Sequence, residues 1–292
     1  MNKTKIISAL AVFVLLLAGC GNSDSSGTKS NDATVSSSAE SIDESMAEPD
    51  PEAFDLTDKN AVEVMKEATG KLDSLNGHIN VNCYIDYDIT PENGDTYNGE
   101  GQVWCDALVA GDKVSMSYDI DLDKAEQTAP EGYEQGHRLY RAYRDGDKLY
   151  HALGENDWKE VENNYIVEPN DSFDGFEGIS VYENYEFYMI TADLETLKNS
   201  NTAALPGVFT QITADLGDEG TANIYINKET MEFRKLIATG VKSPLIENLI
   251  NAPDAEVTTS SDIYMVFDNW SGMTEEAIAI PTDLAKSLNE NE

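Results

Sequence analysis

The chain has 292 residues, with 19 Lys and Arg against 55 Asp and Glu and a formal net charge of −36 at neutral pH. A surface this acidic is repelled by nucleic-acid phosphates and by anionic lipid headgroups, which excludes nucleic-acid binding and electrostatic docking on a membrane. Three cysteines and three histidines leave little material for a metal centre.

The first stretch carries Lys3 and Lys5, then an apolar run from Ile6, then Leu17-Ala18-Gly19-Cys20. This is the charged, apolar, small-residue order of a secretory signal. The apolar run is about a dozen residues, short of the roughly 20 that cross a bilayer as a helix. With a cysteine at its end the segment resembles a bacterial lipoprotein signal, and the resemblance implies that residues 1–19 are removed and that Cys20, carrying diacylglycerol on its sulfur, becomes the N-terminus. Loss of Lys3 and Lys5 takes the formal charge from −36 to −38. Two acyl chains hold a protein stably on a membrane, so the expected location is the extracytoplasmic face of the cell membrane, with the fold itself in water.

Residues 20–53 are rich in Ser, Asp, Glu and Asn, with Pro49 and Pro51 near the end. They lack the apolar residues needed to offset ordering entropy and read as a flexible tether, with a span of roughly 30 Å. Residues 54–292 form the expected folded domain. Thr57 or Asp58 can cap a helix whose apolar stripe is Ala61, Met65, Ala68, Leu72 and Leu75, stopped by Asn76-Gly77.

Strands follow. From His78 to Ile89 the odd positions are apolar, among them Ile79, Val81, Cys83 and Ile85, and the even positions are mostly polar. Pro91 to Gly99 reads as turn, and Gln102 to Val109 as the return strand. A hairpin centred on Gly94 places Cys83 opposite Cys105 and Ile85 opposite Val103, with every apolar residue on one face. That register allows a Cys83–Cys105 disulfide; two reduced, apolar-facing thiols are the alternative. A third strand alternates Val114, Met116, Tyr118, Ile120 and Leu122 with polar residues. Asp145-Gly146 marks a further hairpin between Leu139–Tyr143 and Lys148–Leu153, placing His151 opposite Tyr140. Trp158 and Val161 lie on a short strand.

Glu162 to Gly178 reads as irregular and Tyr182 to Ala192 as a strand. Leu205, Val208, Phe209, Ile212 and Leu216 have helical spacing and can cover an apolar sheet face. Ala222 to Phe233 is a hairpin. Ser243-Pro244 opens a short helix bearing Leu245, Ile246, Leu249 and Ile250. Ile263, Met265 and Phe267 define a last strand, and Pro281 to Ala285 a brief strand running into a small helix. Serial antiparallel strands with a few helices give an α+β domain.

This layout resembles the LolA-like superfamily of lipoprotein carriers, and more closely its lipidated LppX/LprG-type members. The likeness rests on Cys20, on Leu72-Asp73-Ser74-Leu75 before the first long strand, on Asp145-Gly146-Asp147-Lys148-Leu149-Tyr150 with Trp158, on Ile226-Asn227-Lys228-Glu229-Thr230 and on Ile280-Pro281. The resemblance implies a strongly curved antiparallel sheet, a half-barrel, with the N-terminal helix and short helices covering its concave face. It also implies acyl chains held between sheet and helices. LolA itself is not lipidated, which argues against a soluble shuttle here.

No catalytic or cofactor motif is present: no nucleophile-elbow serine, phosphate loop or HExxH helix. His78, His137 and His151 do not stand at metal-ligand spacing; Asp119, Asp121 and Asp123 lack the glycine and the distal Glu of a calcium loop, and Asp119 and Asp121 sit at period two in a strand. The expectation is therefore a non-catalytic binder of a hydrophobic, lipid-like ligand, with Ile79, Val81, Ile85, Val103, Met116, Tyr118, Val208, Phe209, Ile212, Leu245 and Leu249 as cavity candidates. The alternative is a surface lipoprotein that binds a protein, a cationic peptide or a glycan through its acidic, Tyr-rich exterior. The protein partner is unknown.

Overall fold

The computed structural model describes residues 49–72, 76–122, 137–154, 157–161, 173–195, 219–242, 250, 252, 254–269 and 272–290. Cys20, the signal, most of the tether and the segments bearing Leu75, Val208, Phe209, Ile212, Leu245 and Leu249 lie outside these residues. Among the described residues no helix is long and apolar enough to cross a membrane.

The elements run β1 (Asp55–Leu56), α1 (Ala61–Leu72), β2 (Gly77–Pro91), β3 (Tyr97–Ala110), β4 (Lys113–Asp121), β5 (His137–Asp145), β6 (Lys148–Leu153) and β7 (Asp157–Val161). Then come β8 (Val181–Glu183), β9 (Phe187–Asp193), β10 (Thr221–Asn227), β11 (Phe233–Val241), β12 (Ala255–Asn269) and α2 (Thr282–Glu290). All twelve strands join one antiparallel sheet in the order β1-β8-β9-β10-β11-β12-β2-β3-β4-β5-β6-β7. The sheet is open, with β1 and β7 at its edges. The two β blocks of the sequence meet at the β12–β2 seam, which pairs Ala255 with Pro91 and Asn269 with Gly77 without a break.

Two-residue periodicity sorts the strands into two faces, with bulges against β10 and β12 shifting it in β11 so that Phe233, Leu236, Ala238 and Val241 all reach the main core. Face one carries Ile79, Val81, Cys83 and Ile85 from β2, Val103 and Cys105 from β3, and Met265 and Phe267 from β12. It merges with Ala61, Val64, Met65 and Ala68 of α1 into the main core. The helix begins one turn later than expected: Asn60, not Thr57 or Asp58, is its cap, with Oδ1 accepting from the Val62 and Glu63 amides at 2.9 and 3.3 Å. Thr57 instead bonds the Lys59 amide.

The central hairpin is longer than its turn residues suggest. β3 starts at Tyr97, so the register is offset by two residues: Cys83 lies opposite Val103, Val81 opposite Cys105 and Ile79 opposite Ala107. An offset of two keeps every side chain on its expected face. It separates the cysteines to a diagonal pair, roughly 7–8 Å apart, and both are free thiols. Gly99 makes the extension possible, because a Cβ there would fall 2.1 Å from the Tyr87 ring, whose hydroxyl donates to the Leu122 carbonyl at 2.8 Å.

Similar slips occur elsewhere. The tight turn after β5 is Gly146-Asp147, with Gly146 at φ +61, so His151 faces Ala142 rather than Tyr140. The single strand expected from Tyr182 to Ala192 is a hairpin, β8–β9. Asn184 Oδ1 accepts from the Glu186 and Phe187 amides at 2.8 and 2.7 Å and turns the chain.

The second face has two separate covers. At one flank Phe54, Met189, Tyr225 and Ile237 pack together. At the other, Ala110, Tyr143 and Tyr150 pack against Ile278 and Leu284. The C-terminal helix therefore lies on the face opposite α1, not beside it, and no strand precedes it at Pro281. It is fastened by Asp283, which accepts from Trp158 Nε1 at 2.8 Å and pairs with Arg141. The Arg141 guanidinium also sits 5.0 Å from the Trp158 ring centroid. Burial raises the Asp283 pKa, but the bonds from Arg141 and Trp158 together hold the carboxyl below its usual range.

Two outcomes are expected. Asp283→Asn removes the charge from partly buried bonds and lowers unfolding free energy by about 1–2 kcal/mol in urea melts; a change under about 0.3 kcal/mol would mean that the fastening is incidental. His78 is bonded to Asp106, which raises its pKa against the effect of burial, and Asp268 adds to the rise. A raised folded-state pKa contributes stability below the unfolded value near 6.5, lost as pH climbs through the folded value. The stability gap between wild type and His78→Asn should be larger at pH 5.5 than at pH 8.5, and an equal gap would contradict the pairing.

Candidate ligand-binding face

Face one is built from successive rows across the sheet. One row runs Leu236, Met265, Val81, Cys105, Tyr118 and Tyr140; the next runs Ala238, Ile263, Cys83, Val103 and Ile120. Six cavity candidates are thereby brought together. Ile79, Val81, Ile85, Val103, Met116 and Tyr118 are each at most 3 % exposed and belong to the same core as Met65 and Ala68.

The face is not uniformly apolar. Burial pushes the Cys83 thiol up to about 12, against the pull of the Ser261 hydroxyl. Burial likewise raises Cys105, which sits beside the Tyr118 hydroxyl, and Tyr118 is raised in turn. These groups stay protonated at any physiological pH and act as small, weakly polar packing units.

Thr259 and Ser261 are different. They stand two residues apart on β12, opposite Tyr87 and Ile85, and point to face one. They are 3 % and 2 % exposed. Thr259 Oγ1 and Ser261 Oγ have no hydrogen-bond partner beyond the weak thiol of Cys83 beside Ser261. A hydroxyl buried without a partner costs about 1–3 kcal/mol, so two adjacent ones at a seam of the sheet mark a place equipped for a polar group. The sequence held the signal: the alternation of Phe267, Met265 and Ile263 extends back through Ser261, Thr259 and Val257.

The other titratable groups are arranged differently. His151 lies on face one near the β7 edge, where burial, followed by the nearby Lys159, lowers its pKa and keeps it neutral. His78 is on face two, bonded to Asp106. Among the described residues no three His, Cys, Asp or Glu side chains are grouped to hold a metal ion.

No family model matches the chain, and no curated protein matches it. Among solved structures it is similar to a LolA superfamily protein from Nitrosomonas europaea, with 12% identity over 75% of this chain and 100% of that one and a TM-score of 0.19. It is also similar to a DUF1329 family protein from Desulfovibrio piger, with 11% identity over 76% of this chain and 98% of that one and a TM-score of 0.23. The likeness is one of layout, at identities and superpositions too low to transfer a ligand, a site or a role.

The thiols give a direct check. Iodoacetamide at pH 8 should label neither Cys83 nor Cys105 in the native protein and both in denaturant without reductant. Labelling that requires reductant would restore the disulfide.

Proposed function

We propose that the protein is a non-catalytic, membrane-anchored extracytoplasmic lipoprotein that holds a hydrophobic, lipid-like ligand against face one. The observation that carries this reading is the pair of buried hydroxyls at Thr259 and Ser261, which among the described residues find no partner stronger than the Cys83 thiol, in a largely apolar wall. A ligand with an acyl chain and one polar end satisfies both features. Its carboxyl, ester or hydroxyl oxygen pairs with Thr259 and Ser261, and its chain lies along Ile85, Val103, Val81 and Met116. Each buried CH₂ is worth about 0.8 kcal/mol, so a chain of ordinary length offsets the cost of parting the core. In this reading the sheet curves as a half-barrel. Val208, Phe209, Ile212, Leu245 and Leu249 form the removable cover, and Cys20 is the lipidated anchor.

A second reading, recognition of a partner through the acidic exterior, is favoured by the exposed Trp104 in the middle of face two.

Native mass spectrometry of the chain with Cys20→Ser, purified gently from a membrane-containing lysate, tests the first reading. A discrete adduct of lipid mass, lost on denaturation, is expected. The double variant Thr259→Val, Ser261→Ala should keep its melting temperature within a few degrees and lose most of the adduct. A clean unliganded mass from several lipid backgrounds would make face one a solid core and end the proposal.

A further inference from the structure

Between its two covered flanks, face two has no cover among the described residues. Tyr264, Asn82, Trp104 and Asp119 face one another across β12, β2, β3 and β4. The next row holds Asp262, Tyr84, Gln102 and Asp121. Trp104 is 41 % exposed although it sits on a central strand with neighbours on both sides. Tyr84 and Tyr264 meet edge to face, ring centroids 5.8 Å apart at 80°. Their footing is fixed: Gln102 Nε2 donates to Asn82 Oδ1 at 2.8 Å, and Asn82 Nδ2 donates to the Tyr84 hydroxyl at 3.0 Å. Asn82 is 4 % exposed, so the amides under the rings are spent on holding them rather than on solvent.

The charge among these rings is acidic, with Arg141 on β5 and Lys235 on β11 in the neighbouring row of the same face. Asp86 and Glu100 continue the platform along β2 and β3, beside Asp119, Asp121 and Asp262. β12, β2 and β3 contain no lysine or arginine anywhere along their lengths. Solvation alone explains outward carboxylates. It does not explain an exposed tryptophan in their midst, which forfeits burial unless something packs on it.

We propose that this platform binds a lysine- and arginine-bearing segment of a protein partner. The face of an indole or phenol attracts a cation placed within about 6 Å of the ring centroid. A guanidinium can lie flat on Trp104 while its edge donates to Asp119, combining stacking with a charge-assisted bond. The platform lies on the face opposite Thr259 and Ser261, so it works independently of any ligand held there and stands or falls separately.

Fluorescence anisotropy with fluorescein-labelled hexa-arginine, on the full chain with Cys20→Ser, tests the assignment. Saturable binding is expected. Trp104→Ala should weaken it about three- to fivefold, and Trp104→Tyr should recover most of the loss. Asp119→Asn with Asp121→Asn should weaken it at least tenfold and flatten its salt dependence. Tyr185→Ala, 92 % exposed on the β8–β9 turn, should change nothing. Equal binding by wild type and Trp104→Ala would reduce the interaction to bulk charge and overturn the proposal. So would Trp104-dependent binding of a neutral chitohexaose in place of the peptide, which would make the platform a glycan site. The lipid-mass adduct of the Trp104→Ala protein should match wild type, which separates failure here from failure of the ligand reading.

Discussion

The seam between β12 and β2 is the constraint on which the rest of the molecule depends. Along it the last long strand returns to the first, and Asn269 Oδ1 accepts from the Asn76 amide 193 residues away in the chain. Without that pairing the protein is two separate β blocks, each with a one-sided apolar face and a long exposed edge. With it, the two blocks share one parity where they meet: odd positions of β2 and odd positions of β12 lie on face one. Closing so distant a pair costs entropy before it returns contacts, so the seam is the slowest part of the sheet to win. It is also where Thr259 and Ser261 interrupt the apolar wall.

Parity was legible in the sequence, and position along the strand was not. Alternation places Ile79, Val81, Ile85, Val103, Met116 and Tyr118 on one buried face, where the structure has them. The same alternation cannot tell a register from one displaced by two residues, because both bury the same set. The alternation does not place the centre of the β2–β3 turn, because Tyr97 to Gly101 looks like loop, with two polar residues and two glycines after one aromatic. Those glycines are strand positions whose side-chain space is filled from outside, Gly99 by the Tyr87 ring and Gly101 by Leu122. Glycine read by itself signals a turn; a glycine directly opposite its filler across the sheet but twelve residues away in sequence, as Gly99 is from Tyr87, signals nothing locally.

Cover is the other part that local pattern does not supply. Amphipathicity shows that α2 must bury Leu284, but not which side of the sheet receives it. That choice is made by Arg141 and Trp158, on β5 and β7, which hold Asp283 from face two. The N-terminal flank is decided in the same way by Phe54, which reaches Tyr225 with ring centroids 5.9 Å apart. Among the described residues the sheet is dressed on both faces at its flanks and on one face at its centre, so a central strip of face two is left uncovered by them as a by-product of where the covers are tied. Trp104 sits in that strip.

An open sheet of this length is also a template, since each terminal strand presents unpaired amides and carbonyls to any passing chain. The two ends of this one are poor templates. β1 offers only Asp55 and Leu56, and beyond it the Ala53 and Phe54 amides are bonded back to Asp50 and Pro51. β7 is five residues long and spends three of them, Asp157, Lys159 and Glu160, on charge. A neighbouring molecule seeking to add a strand would have to strip these groups of water for a handful of hydrogen bonds. The sheet is thus self-limiting. At high local density, molecules with such sheet ends can stand side by side without annealing into a fibre.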